Sequence, residues 1–156
     1  MSGTSNSKNT PETQSHIKLG PRAEYARVLT CGAPERAEKI ARLLDGLEPQ
    51  AKNREYHSYL GKWKGKSILV ISHGIGAPGA SIAFNELIAV GAKNILRLGT
   101  AGLLKDEMQI GDVLVATAAV RQDGTSQGMI PVEYPAVPDM EFTTDLLKRA
   151  RAASLP

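Results

Sequence analysis

Apolar positions along this chain follow two periods. From Arg27 onward, short runs rich in β-branched residues and closed by glycine alternate with longer stretches whose apolar residues fall three and four apart. The first spacing marks buried strands and the second amphipathic helices, so the alternation predicts an α/β domain. Arg27 to Cys31 reads as a buried strand, after which Gly32 turns the chain into a helix that begins near Pro34. Proline suits the first helical position because its missing N–H would be unpaired there, and Glu35 in the first turn favours the positive end of the helix dipole. Ile40, Leu43 and Leu44 form the expected buried stripe of that helix.

Tyr56 to Trp63 and Ser67 to Ser72 read as strands joined around Lys64-Gly65-Lys66, a hairpin. A glycine turn over 74–78 follows, then a helix over Ala80 to Ala89 and a strand over Asn94 to Leu98. A further strand is expected over Asp112 to Ala119, ahead of a loop holding Pro131, Pro135 and Pro138, and a last helix over Thr143 to Ala153. Residues 1–15 are rich in Ser, Thr and Asn and nearly devoid of apolar side chains, so they are read as a disordered tail, leaving 16–156 as the folded portion.

Composition changes this picture little. A length of 156 residues with 42% hydrophobic side chains fits one domain with a core. The net charge is +3, but Lys and Arg are dispersed, and only 4% of residues are aromatic, which argues against nucleic acid as a partner. Cys31 is the sole cysteine, so an internal disulfide and a cysteine-rich metal site are excluded. No apolar run reaches the length of a membrane span, and a cytoplasmic protein with no membrane partner is the expectation.

The chemistry lies in the glycine turns. Arg36 in the stretch 31–36, Arg54, and Arg97 in the stretch 97–102 stand beside glycines at the ends of expected strands. Planar guanidinium donors match phosphate, and glycine lets backbone N–H groups approach the same anion, so these turns predict an oxyanion cradle. The chain lacks both G-x-x-x-x-G-K-[ST] and a G-x-G-x-x-G after its first strand, which excludes a P-loop and a dinucleotide fingerprint. Of the remaining candidates, His73 within its glycine turn reads as a structural side chain, and Glu133 and Asp139 read as turn residues in a proline-rich loop. Cys31 reads as a small buried group.

Six motifs occur in an order that resembles the hexameric nucleoside phosphorylases: Gly-Ala-Pro-Glu-Arg at 32–36, Asn-Arg-Glu-Tyr at 53–56, Ser-His-Gly-Ile-Gly-Ala-Pro at 72–78, Arg-Leu-Gly-Thr-Ala-Gly at 97–102, Gly-Asp-Val-Leu at 111–114 and Arg-Gln-Asp-Gly-Thr-Ser at 121–126. The stretch Arg121 to Asp139 is most similar to the uridine phosphorylase branch, and the resemblance runs from His16 to about Ala153. It implies a phosphorylase/hydrolase-like, three-layer α/β/α fold with a mixed central sheet, C-terminally incomplete. It also implies a pentosyltransferase of nucleoside salvage that cleaves a nucleoside, uridine-like by preference, with inorganic phosphate as co-substrate to give free base and ribose 1-phosphate.

By the same resemblance, Gly32, Arg36, Arg97 and Thr100 hold phosphate and Arg54 is contributed by a neighbouring subunit. Arg97 and Thr100 are the implied catalytic residues, while His16, Thr100, Ala101 and Gly102 border the nucleoside. No tightly bound cofactor is implied. A potassium site that some relatives build would use Glu55 and the Ile75 backbone, but Gly79 replaces its serine, so no metal is assigned. Ala33 stands where the family carries an aspartate. Partners implied are a nucleoside, phosphate, and further copies of the chain in a dimer to hexamer, or a complementing C-terminal chain. The family continues beyond the segment matched here, and its later strands, base-reading residues and ribose-gripping glutamate have no counterpart in it. Two readings follow: a phosphorylase chain supplying the phosphate-binding half, with little activity on its own, or an inactive truncated homologue serving as a phosphate-binding or subunit-interaction module.

Overall fold

The computed structural model describes residues 12–153, so most of the expected N-terminal tail lies outside the described residues. Two compact units divide the chain after Gly99. In the first, a mixed five-stranded sheet is built from β1 (Arg27–Cys31), β2 (Asp45–Asn53), β3 (Tyr56–Trp63), β4 (Lys66–Ser72) and β5 (Asn94–Arg97), in the spatial order β2-β3-β4-β1-β5. Strand β1 runs parallel to both β4 and β5, whereas β2, β3 and β4 form an antiparallel meander.

Alternation along β4 sends its side chains to opposite faces. Leu69 and Ile71 join Val28, Ala83 and Leu87 in one core cluster, while Val70 joins Cys31, Ala37, Ala41 and Tyr59 in the other. Helix α1 (Pro34–Ala41) supplies Ala37 and Ala41 to the second cluster, and α2 (Ala77–Ala89) supplies Ala83 and Leu87 to the first. A helix on each face of the sheet makes this unit a three-layer α/β/α arrangement. Full burial of Leu69, Val70 and Ile71 contributes about 1.5–3 kcal/mol each.

Helix α1 is shorter than its apolar spacing suggests, and Leu43 is 72% exposed instead of buried. The helix stops at Ala41, and the N–H groups of Leu43 and Leu44 close onto the carbonyls of Ile40 and Ala41. Past that point helical periodicity no longer governs which side chains face inward. Leu44 instead lies over β3, where a Cβ added to Gly61 would come within 2.7 Å of its Cβ.

The second unit, residues 100–156, carries two helices among its described residues, α3 (Thr125–Met129) and α4 (Met140–Ala152). The strand expected over 112–119 does not form: in that stretch Ala119 N–H bonds Ala136 O and Asp112 N–H bonds Gln109 O, and no partner strand runs beside it among the described residues. Apolar spacing can nominate a strand, but a neighbouring edge must complete it. The Arg121 guanidinium gathers the proline-rich loop by donating to the carbonyls of Ile130, Pro131 and Tyr134. Asp139 caps α4 by accepting from Phe142 N–H at 2.8 Å, the turn role its position suggested. Leu104, Ile110 and Val120 are exposed. No helix among the described residues is long and apolar enough to cross a membrane.

Candidate functional site

Because β4, β1 and β5 are parallel and adjacent, their carboxyl ends open on one end of the sheet. The turns that follow are laced together beyond the strands: His73 N–H bonds Cys31 O at 2.9 Å, Gly74 N–H bonds Gly32 O at 2.9 Å, and Leu98 N–H bonds Thr30 O at 2.7 Å. The backbones approach so closely that a Cβ at Gly32 would stand 3.1 Å from Gly74 O. That approach explains the glycine.

Arg36 rises from the first turn of α1, whose N-cap is Ala33; no side-chain oxygen covers the N-terminal N–H groups. Arg97 ends β5. Burial pushes the Cys31 thiol up, and the nearby charges of Arg36 and Arg97 offset only part of that shift. Arg54 occupies the two-residue turn between β2 and β3, at the same end of the sheet because β3 starts where β4 finishes. Its φ of 52° is left-handed, a conformation that costs a non-glycine residue about 1 kcal/mol.

The structure therefore brings Gly32, Arg36, Arg54 and Arg97 to one end of a single sheet, with Arg36 and Arg97 the nearer pair to β1. Thr100, Ala101 and Gly102 open the second unit and are exposed. His16 belongs to the first unit, where its Nδ1 lies 2.6 Å from Glu86 Oε1 and its ring meets Tyr56 edge-on at 6.3 Å. Beside the Arg54 turn, Glu55 packs against Gly74, and its Oε1 lies 3.8 Å from where a Cβ at Gly79 would stand. Glu55 and Gly79 are thus adjacent, although a Cβ at Gly79 would also press on His73 O at 2.6 Å. Among the described residues, no group of three or more His, Cys, Asp or Glu side chains is placed to hold a metal.

Two residues of this region carry more than the sequence reading assigned them. Glu86 on α2 accepts from the N–H groups of both His16 and Ile17, the latter at 2.8 Å. Burial alone would raise its carboxyl, yet the bonds from Ile17 and His16 hold it below the usual carboxylate value. No local spacing could reveal this pairing, because the partners are 70 residues apart. His73, read as a structural side chain, uses ring Nε2 to accept from Arg97 Nε at 3.0 Å.

The pattern of the phosphorylase superfamily matches residues 26–155. The chain belongs to the phosphorylase superfamily. Among superfamily members, the uridine phosphorylase of Thermococcus kodakarensis is 44% identical over 139 residues, covering 89% of this chain and 50% of that protein. Guanosine phosphorylase of Halorubrum lacusprofundi is 44% identical over 137 residues, or 88% of this chain and 57% of that one. The crystal structure of purine nucleoside phosphorylase from Toxoplasma gondii in complex with immucillin-H superposes with a TM-score of 0.89 at 37% identity, over 96% of this chain and 60% of that chain. The chain thus spans about half the length of the curated phosphorylases it matches.

Proposed function

We propose that this chain provides the phosphate-binding part of a nucleoside phosphorylase, a pentosyltransferase that moves the ribosyl group of a nucleoside to inorganic phosphate. The observation that carries the reading is the placement of Arg36, in the first turn of α1, and Arg97, at the end of β5, at the carboxyl ends of the adjacent parallel strands β1 and β5, beside the closely approached Gly32 turn. In this reading Gly32, Arg36, Arg97 and Thr100 hold the phosphate, with Arg97 and Thr100 nearest the reacting centre. Phosphorolysis passes through a sugar with oxocarbenium character, so an anion fixed below the anomeric carbon stabilises the positive charge that develops there. The arginines position the nucleophile.

Arg54 and His16 act on a neighbouring copy in a homo-oligomer, dimer to hexamer, with His16, Ala101 and Gly102 bordering the nucleoside. Uridine is the favoured substrate because of the stretch from Arg121 to Asp139, while relatives named for guanosine and purine nucleosides keep the base an open variable of the assay. The proposed setting is the cytoplasm, with no tightly bound cofactor.

Incubation of the chain with uridine, guanosine or inosine in phosphate buffer, followed by chromatography of the free base, tests the reading. Uracil release that depends on phosphate and vanishes in Arg97→Ala supports it; hydrolysis indifferent to phosphate refutes it. A second reading is an inactive phosphate-binding or subunit-interaction module, which the exposed apolar side chains Leu104, Ile110 and Val120 favour as surface for a partner. Calorimetric binding of phosphate without turnover of any nucleoside, alone or mixed with a full-length phosphorylase, would select that alternative.

A further inference from the structure

We infer that His73 is a positioning residue for Arg97: its neutral imidazole, protonated on Nδ1, anchors the arginine through Nε and leaves Nη1 and Nη2 to grip an oxyanion end-on. The inference rests on the phosphate reading of this site. Arg97 Nε is always a donor, so the ring nitrogen 3.0 Å away must be the acceptor. An Nε2 without hydrogen places the proton of a neutral ring on Nδ1. His73 is 2% exposed, its Nδ1 finds no hydrogen-bond partner, and the ring meets Phe84 edge-on at 6.0 Å. Its main chain is fixed as well, through the bond from His73 N–H to Cys31 O.

The ring is therefore held in plane and position by its packing and main chain, and Arg97 is the side chain that its Nε2 serves. Among the described residues neither Nη1 nor Nη2 of Arg97 has a hydrogen-bond partner, and Nη1 lies over Gly99, where any side chain would collide with it. The choice of imidazole has a chemical consequence. A carboxylate at this place would orient the guanidinium equally well but would neutralise it, whereas a neutral acceptor fixes the geometry and leaves the full positive charge for the anion. Burial and the nearby Arg97 charge both favour the uncharged ring.

Long-range nitrogen–proton NMR on the full chain reads the tautomer directly, and titration with inorganic phosphate reads the consequence. The expected result is a protonated Nδ1 and bare Nε2 on His73, slow exchange of the Arg97 Nε proton, phosphate binding weakened about tenfold in His73→Leu, and most of the loss recovered in His73→Gln, which keeps an acceptor. An Nε2-protonated ring in the wild-type chain overturns the inference, even where a variant fails to fold. Equal loss in the Leu and Gln variants overturns it too, since that marks a role in packing alone. If the tautomer and slow exchange hold but the wild-type chain binds no phosphate, the phosphate reading fails and takes the positioning role with it.

Discussion

The Asn53 side chain donates to His16 O at 2.7 Å, tying the hairpin that carries Arg54 to the segment that carries His16. Glu86 holds the same segment from α2 through the N–H groups of His16 and Ile17, with Ile17 and Leu19 buried beneath. Any surface that meets Arg54 therefore meets His16 in a set relation.

Removing the carboxylate is the sharper test of this tie. Glu86→Ala leaves two backbone N–H groups without their charged acceptor, a loss of about 2 kcal/mol. Asn53→Ala removes one neutral bond and should cost about 1 kcal/mol. Urea unfolding of both variants checks the order; equal stability of Glu86→Ala and wild type would show that the N-terminal segment is not anchored here.

Arg54 pairs a left-handed backbone with a guanidinium that makes no hydrogen bond among the described residues. Strain held at an unpaired charge is what a binding role predicts. Arg54→Gly should raise the stability of the chain by about 1 kcal/mol while reducing phosphate affinity or turnover in the assembled protein. Calorimetric unfolding and phosphate titration measure the two effects, and a variant that is both less stable and equally competent contradicts the assignment.

The pH dependence of stability carries a mark of His73. Burial, then the charge of Arg97, hold its folded pKa below the ordinary value of 6.5. Above that value both states are neutral and the contribution is whole; as pH falls below it, the unfolded chain takes up the proton first and stability is lost toward the folded pKa. The stability difference between wild type and His73→Leu should therefore shrink as pH falls below 6.5. Glu86 is lowered from 4.5 and acts in a more acidic window, so the two effects separate in a pH series of unfolding curves.

Gly99 offers a test that leaves every charge in place. A methyl group there would collide with Arg97 Nη1, forcing the guanidinium aside. Gly99→Ala should weaken phosphate binding about tenfold with little effect on unfolding, a separation that titration and thermal melts together resolve.

Much of the first unit was readable from spacing. The observed bounds of β3 are those its alternation predicts, and β4, α2 and β5 differ from expectation by only a few residues at their ends. Strand β2 escaped notice because it contains Gly46, Glu48 and Pro49 and is largely open to solvent, so neither composition nor period marks it. It exists through pairing with β3, and proline is tolerated there because β2 is an edge. The reverse failure, the missing strand at 112–119, has the same origin: pairing lies outside what a local pattern can encode. At the site, Arg36 and Arg97 stood out in the sequence as cations beside glycines such as Gly32, and the fold places all three at one end of the sheet, whereas the contacts behind them, His73 with Arg97 and Glu86 with His16, join distant stretches.

The two flanks of the sheet are not equivalent. On the β2 side, Pro49 lacks an N–H and the pairing with β3 slips twice, between Asp45 and Glu48 and between Pro49 and Ala51. On the β5 side a short run, Asn94-Ile95-Leu96-Arg97, ends the described sheet in regular parallel register with β1. Irregular borders discourage further strand addition and regular ones invite it. Any polypeptide that extends this sheet is thus directed to the flank bearing Arg97, and the new neighbour would arrive beside the very cation on which the chemistry depends.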